Sequence, residues 1–167
     1  MLTLVAFVVF PALMAYAAAS DLLTMTIPNR ITLALIAAFL AFAGLSGMGL
    51  AAFGGHLAAG AAVLAVAFAL FSFGWIGGGD AKLAAATALW LGFGSLLDYL
   101  YLSAIGGAVL TIALLALRGM PLPGFALGWT WLARLHDKRS GVPYGIALAG
   151  AALAVFPDSA LFALLAG

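Results

Sequence analysis

The sequence predicts an all-α fold: a polytopic integral membrane bundle of about six transmembrane helices, with both termini outside. Three observations carry this. Of the 167 residues, 67% are hydrophobic, against roughly 45–50% in an ordinary soluble domain. Only 7% are charged, as five Asp, no Glu and six Lys or Arg, too few to clothe a soluble globule. Apolar runs recur between charged and Gly/Pro-rich breaks at about the 20 residues that cross a bilayer core, without the alternation of a barrel strand. The same composition excludes disorder. A net charge of +1 gives no footprint for nucleic acid. The absence of cysteine excludes disulfides, thiolate zinc sites and Cys nucleophiles. The chain 1–167 reads as one membrane-embedded domain.

The first span covers 2–20, with Pro11 inside it as an expected kink. It ends in small residues, Ala15 to Ala19, as a signal peptide does, but no cation precedes it, so a retained helix is expected. Thr26-Ile27-Pro28-Asn29 reads as a helix start, with Thr26 as cap and Pro28 in the first turn. The second span follows at 31–46, and the Gly-rich stretch 44–55 reads as a loop or frayed end. Spans at 56–74 and 81–97 flank the turn Gly77-Gly78-Gly79-Asp80. Gly74 and Gly78 have the spacing of a small-residue helix contact. A fifth span is read at 99–117 and a sixth at 143–165, opened by Val142-Pro143-Tyr144-Gly145. The connection 118–142 carries Phe125, Leu127, Trp129, Trp131, Leu132 and Leu135 before a charged end. It reads as a short interfacial helix anchored by Trp.

Orientation follows from the cations. Arg30, Lys82, Arg118, Arg134, Lys138 and Arg139 all fall on connections of one side. By the positive-inside rule that side is cytoplasmic.

Five carboxylates can be weighed one by one. Asp98 and Asp158 lie at outward ends, and Asp137 sits beside Lys138 and Arg139. Asp21 and Asp80 each adjoin an apolar span at the cytoplasmic level. Carboxylates there are costly and usually functional, unless both simply rest in the wet headgroup layer. If spans one and four are neighbours the two converge. Paired carboxylates share a proton and supply a base and an acid together. Asp80 starts a helix and Asp21 ends one, so the macrodipoles assign the shared proton to Asp21.

The three glycines permit close backbone approach, either for a substrate strand or for a tight turn. They form neither a phosphate loop nor a dinucleotide fingerprint. Tyr144 either hydrogen-bonds within the site or anchors at the interface, and the anchor is favoured. A metal held by Asp21, Asp80 and His136 would lack any ligand spacing, so neither metal nor cofactor is expected.

The chain resembles the type IV prepilin peptidases, membrane aspartyl proteases of the Gly-x-Gly-Asp class. The resemblance rests on Asp21 followed by Ile27-Pro28-Asn29, then Gly77-Gly78-Gly79-Asp80-Ala81-Lys82-Leu83, then Pro143-Tyr144-Gly145, in order along nearly the whole chain. It implies Asp21 and Asp80 as the catalytic pair. Gly77, Gly78, Gly79, Lys82, Pro28, Asn29 and Tyr144 would support the pair or bind substrate. The implied substrate is a prepilin or pseudopilin, cut on the cytoplasmic side of the bacterial inner membrane after a Gly that ends a short basic leader. Larger members carry two Cys pairs and a methyltransferase activity. This chain resembles the short, peptidase-only branch of tight-adherence (Flp-type) pili, so methyl transfer is not expected. Substrate and lipid bilayer are the expected partners. The competing function is a small ion- or proton-coupled transporter subunit. Against it, transporter sites lie near the midplane, whereas both Asp are read at one face.

Overall fold

A computed structural model describes residues 2–122, 124 and 128–166 of the chain. Among them every regular element is helical. Helix α1 spans Leu2–Thr24, α2 Asn29–Leu45, α3 Leu50–Ser72, α4 Gly78–Leu91 and α5 Leu96–Arg118. The short α6 spans Thr130–His136, α7 Gly145–Val155 and α8 Ala160–Ala166. Three helices are long and apolar enough to cross a membrane, at Phe7–Thr24, Leu50–Ser72 and Leu96–Arg118, while Asn29–Leu45 and Gly145–Asp158 are apolar but shorter.

Several boundaries differ from those expected, and each difference has a cause. Helix α1 passes through Pro11 unbroken and continues beyond residue 20. Asp21 therefore lies inside the helix, where its carbonyl accepts the Met25 N–H at 2.8 Å. Met25 then takes a positive φ of 56° and ends the helix. The Ser20 hydroxyl donates to the Thr26 carbonyl across this reversal, at 2.9 Å. Thr26 is not the cap of α2. Pro28 holds that position without a side-chain bond, and the helix proper starts at Asn29.

Helix α3 starts six residues before the expected 56, so Gly54 and Gly55 are helical rather than loop. In an apolar surround an unpaired backbone amide costs several kcal/mol. Continuing the helix through glycine is the cheaper outcome. Gly74 sits in the following turn at φ +73°, so it shares no helix face with Gly78. Gly78 instead lies against the Phe71 ring.

The expected span 81–97 is shorter and shifted. Helix α4 stops at Leu91, where Gly92 takes φ +65°. A Cβ at Gly92 would stand 3.1 Å from the His56 ring. The expected sixth span is broken. Pro157 lies in a 3₁₀ turn, Phe156–Asp158, between α7 and α8, because proline lacks the N–H that would continue α7. The amphipathic segment after α5 contributes seven helical residues as α6, with Trp129 and Trp131 stacked at 6.0 Å. Phe125 and Leu127 lie outside the described residues.

Helix α4 is the axis of the bundle. It packs on α3, α2 and α7, while α1 packs on α7 and α2, and α5 on α7. Ten of its residues, from Ala81 and Leu83 to Leu91, are buried. Trp90 is 1% exposed. Its ring meets Phe10 at 5.0 Å and Phe39 at 6.0 Å, and its Nε1–H donates to the Leu35 carbonyl at 2.9 Å. The buried indole thus keeps its one polar group satisfied. At the same end His56 is buried and donates from Nδ1 to the Leu89 carbonyl, at 2.8 Å.

Candidate active site

Side chains of α1 and α4 that meet in the core show where the carboxylates fall. The helices run antiparallel, with Phe10 against Trp90 and the Thr87 hydroxyl donating to the Met14 sulfur at 3.8 Å. Asp21 lies seven residues after Met14, and Asp80 seven residues before Thr87. Seven residues are two helical turns, about 10.5 Å. Both carboxylates are therefore carried to one level on facing sides. They line one cavity of about 330 Å³, together with Thr26, Ile27, Asn29, the Gly77–Gly79 turn and Lys82. Helices α1 and α4 touch through these side chains rather than by close backbone packing, yet both carboxylates line the one cavity.

Each carboxylate has its own support. Asp21 is 5% exposed, and its Oδ2 accepts the Gly145 N–H at 2.7 Å. Gly145 opens α7. A Cβ there would stand 2.8 Å from both Asp21 Oδ2 and Ile27 Cδ1, so only glycine fits. Asp80 is the third residue of α4, and its carboxylate folds back over the N-cap residue Gly77. This is the reach-back half of a capping box. Sequence reasoning found Asp80 at a helix start but missed that Asp21 faces one as well, across the bundle. Asp21 thus sits between the negative end of α1 and the positive end of α7, whereas Asp80 meets only the positive end of α4. The amide of Gly145 offsets part of the α1 dipole on which the assignment of the shared proton to Asp21 was drawn.

The glycine run is used for packing. A Cβ at Gly79 would press on Ile27 at 3.2 Å, and one at Gly78 on Phe71 at 3.2 Å. Those two positions are covered by neighbouring side chains, which leaves Gly77 as the exposed member. Lys82 does not pair with Asp80 through its ammonium. Its Nζ donates to the Asn29 side-chain carbonyl at 3.0 Å, tying α4 to α2 at the cavity's edge. Pro28, half-buried, shapes the turn that carries Asn29.

Tyr144 departs from the interface anchor that was favoured. Its hydroxyl donates to the Ser103 carbonyl of α5 at 3.1 Å, within the bundle. A Cβ at Gly107 would overlap the ring at 2.0 Å, so Gly107 is what lets the ring in.

The cations gather at the cavity's end of the molecule. The Arg30 guanidinium donates to the Tyr16 hydroxyl. Arg134 Nη1 donates to the Leu23 carbonyl at 3.0 Å, fastening α6 to the end of α1. Arg118 is 7% exposed and donates to the carbonyls of Leu135 and Gly141, both at 2.7 Å. Nothing in the sequence marked Arg118 as buried, since a cation ending an apolar run normally reaches water. The Gly145 amide could have been suspected from Pro143-Tyr144-Gly145, although only the fold reveals its acceptor. Among the described residues no three His, Asp or Glu side chains gather as metal ligands, and His136 ends α6.

Two carboxylates line one cavity and can serve as a proton acceptor and a proton donor. That is the requirement for hydrolysis of an amide without a covalent intermediate. No curated protein and no solved structure matches the chain. The type IV leader peptidase family matches residues 8–112, a stretch that contains both Asp21 and Asp80. With 105 of its 167 residues matched, this membrane protein belongs to the type IV leader peptidase family, and so to the proteases.

Proposed function

We propose that the chain is an aspartyl endopeptidase that removes the short basic leader of a type IV prepilin or pseudopilin, with Asp21 and Asp80 as the catalytic pair. The observation that carries this is the shared cavity: two carboxylates, delivered by facing helices, at the cation-rich end of a bundle otherwise filled with apolar side chains. In the reaction one carboxylate is ionised and the other protonated. The ionised group takes a proton from a water whose oxygen attacks the scissile carbonyl carbon. The protonated group gives its proton to the carbonyl oxygen as the tetrahedral intermediate forms. Collapse breaks the C–N bond: the proton held by the first carboxylate passes to the leaving amine, and a hydroxyl of the intermediate returns its proton to the second carboxylate as the new carbonyl forms. The pair ends with one proton, as it began.

The orientation belongs to the same proposal. The chain is a single domain that crosses the bacterial inner membrane about six times, with both termini outside and the cavity toward the cytoplasm. The clustering of Arg30, Lys82, Arg118 and Arg134 at the cavity's end supports this by the positive-inside rule. The Flp-type assignment rests on the motifs and the absence of cysteine.

The test is co-expression with a candidate prepilin, with the pilin N-terminus read by mass spectrometry. Wild type removes a short leader ending in Gly, whereas Asp21→Asn and Asp80→Asn leave it intact while remaining folded in the membrane. A single Asn variant that keeps full turnover refutes the dyad. Gradient-driven ion flux without cleavage of any prepilin would refute the peptidase reading.

A further inference from the structure

Arg118 closes α5 as a buried cation whose hydrogen bonds go to neutral acceptors, the carbonyls of Leu135 and Gly141. These bonds use two of its N–H groups, and a guanidinium has more to offer. Beside it lies a cavity of about 310 Å³, lined by Leu115, Arg118, Gly119 and Lys138. Among the described residues its lining holds two cations and no carboxylate. Asp137, next to Lys138 in the chain, is turned away, with its Oδ1 accepting the Arg139 N–H at 2.9 Å. Two like charges facing one small space repel, and an anion between them turns repulsion into attraction.

The same last turns of α5 border a second cavity of about 290 Å³. Its lining includes Leu114, Leu117, Leu132 and Leu135, and His136 is its one ionisable residue. Leu135 joins the two spaces, because it lines the apolar one while its carbonyl holds Arg118. Both open outward along α5, where Leu115, Leu117 and Met120 are 60%, 56% and 62% exposed. Helix α5 is long and apolar enough to cross a membrane, so its outward face meets lipid. The stacked Trp129 and Trp131 mark the headgroup level beside it.

We infer that Arg118 and Lys138 hold the phosphate of an anionic phospholipid, with an acyl chain in the apolar cavity against Leu117 and Leu132. The inference goes beyond the peptidase reading and does not depend on it. Charge selects the anion, since basic pockets at this level of a membrane protein suit acidic headgroups. The adjoining apolar space selects a lipid over a free phosphate. A zwitterionic headgroup is disfavoured, because its own ammonium would join two cations. The bound lipid braces the connection from α5 to α7, through the bond from Arg118 to the Gly141 carbonyl. That connection delivers the Gly145 amide to Asp21.

The full-length protein is placed in nanodiscs of phosphatidylcholine with a minor share of phosphatidylglycerol. Lipids retained on gentle release are then read by native mass spectrometry. Wild type retains phosphatidylglycerol over phosphatidylcholine by about tenfold. Lys138→Gln lowers that preference about fivefold, the worth of one cation near a headgroup. Arg139→Gln, an exposed neighbour outside the cavity lining, changes it less than about twofold. Arg118→Gln lowers it as Lys138→Gln does. Should Arg118→Gln fail to fold, Lys138→Gln decides, because Lys138 is exposed. Millimolar inorganic phosphate leaves the retained lipid in place. Equal retention of the two lipids overturns the inference. Equal losses from Lys138→Gln and Arg139→Gln overturn it too, since they report a diffuse surface charge. If inorganic phosphate displaces the lipid, the site takes a free anion and the lipid assignment falls.

Discussion

Helices α4 and α5 follow one another in the chain and could hardly differ more. Helix α5 has 23 residues, is apolar along its length and turns most of its surface outward. Helix α4 has 14 residues, begins Gly-Gly-Asp-Ala-Lys and is buried almost throughout. Any hydropathy scan selects α5 first. The difference shows that hydropathy reports contact with lipid, not importance to the bundle. A helix enclosed by other helices needs no lipid-compatible surface. It can be short, Ala-rich and polar at one end, and it is free to carry a carboxylate. At 1.5 Å per residue α4 is about 21 Å long, less than the roughly 30 Å of hydrocarbon. Its Asp80 end is therefore recessed relative to the ends of α5.

The contrast can be broken or sharpened by substitution. The largest effect is expected on chemistry. Asp80→Asn on α4, or Asp21→Asn opposite it, lowers leader cleavage by at least about 10³-fold, measured as initial rates in reconstituted membranes. The double variant is no worse than either single one, because the pair acts as a unit. Next is Trp90→Ala, which removes the indole from the aromatic cluster and costs about 3–5 kcal/mol, read from unfolding in mixed micelles. Gly107→Ala probes the inward side of α5, which is packed as closely as α4. Its Cβ collides with Tyr144, so a cost of about 1–3 kcal/mol is expected. Combining it with Tyr144→Leu recovers part of that loss. Smallest is Ile112→Ala, 68% exposed on α5, which stays within about 0.5 kcal/mol in micelles. A Trp90→Ala cost as small as that of Ile112→Ala would erase the distinction between the two helices.

Much of this was legible in the residues, because composition and run length depend on bilayer thickness alone. The helical class, the three long apolar helices and the placing of Asp21 with Asp80 in one cavity follow from apolar spacing and from which side each run ends on. Helix ends were less legible. Gly54 and Gly55 look like punctuation, yet a loop there would strip backbone groups of partners. The break at Pro157 was masked by the apolar residues around it. Contacts between residues distant in sequence were not legible at all. No local pattern announces that Gly145 will donate to Asp21, that Arg118 will be buried under two carbonyls, or that Gly107 exists to admit a tyrosine ring.

The hydrogen bond from Gly145 to Asp21 joins residues 124 positions apart. At roughly 5–20 residues per second of synthesis, about 6–25 s pass between the two emerging from the ribosome. During that interval the Asp21 carboxylate lacks its amide donor. The Asp21 side of the cavity is finished only when α7 arrives, so a chain stopped before Gly145 cannot assemble it. The order of biogenesis thus keeps the two carboxylates from being jointly supported before the molecule is whole.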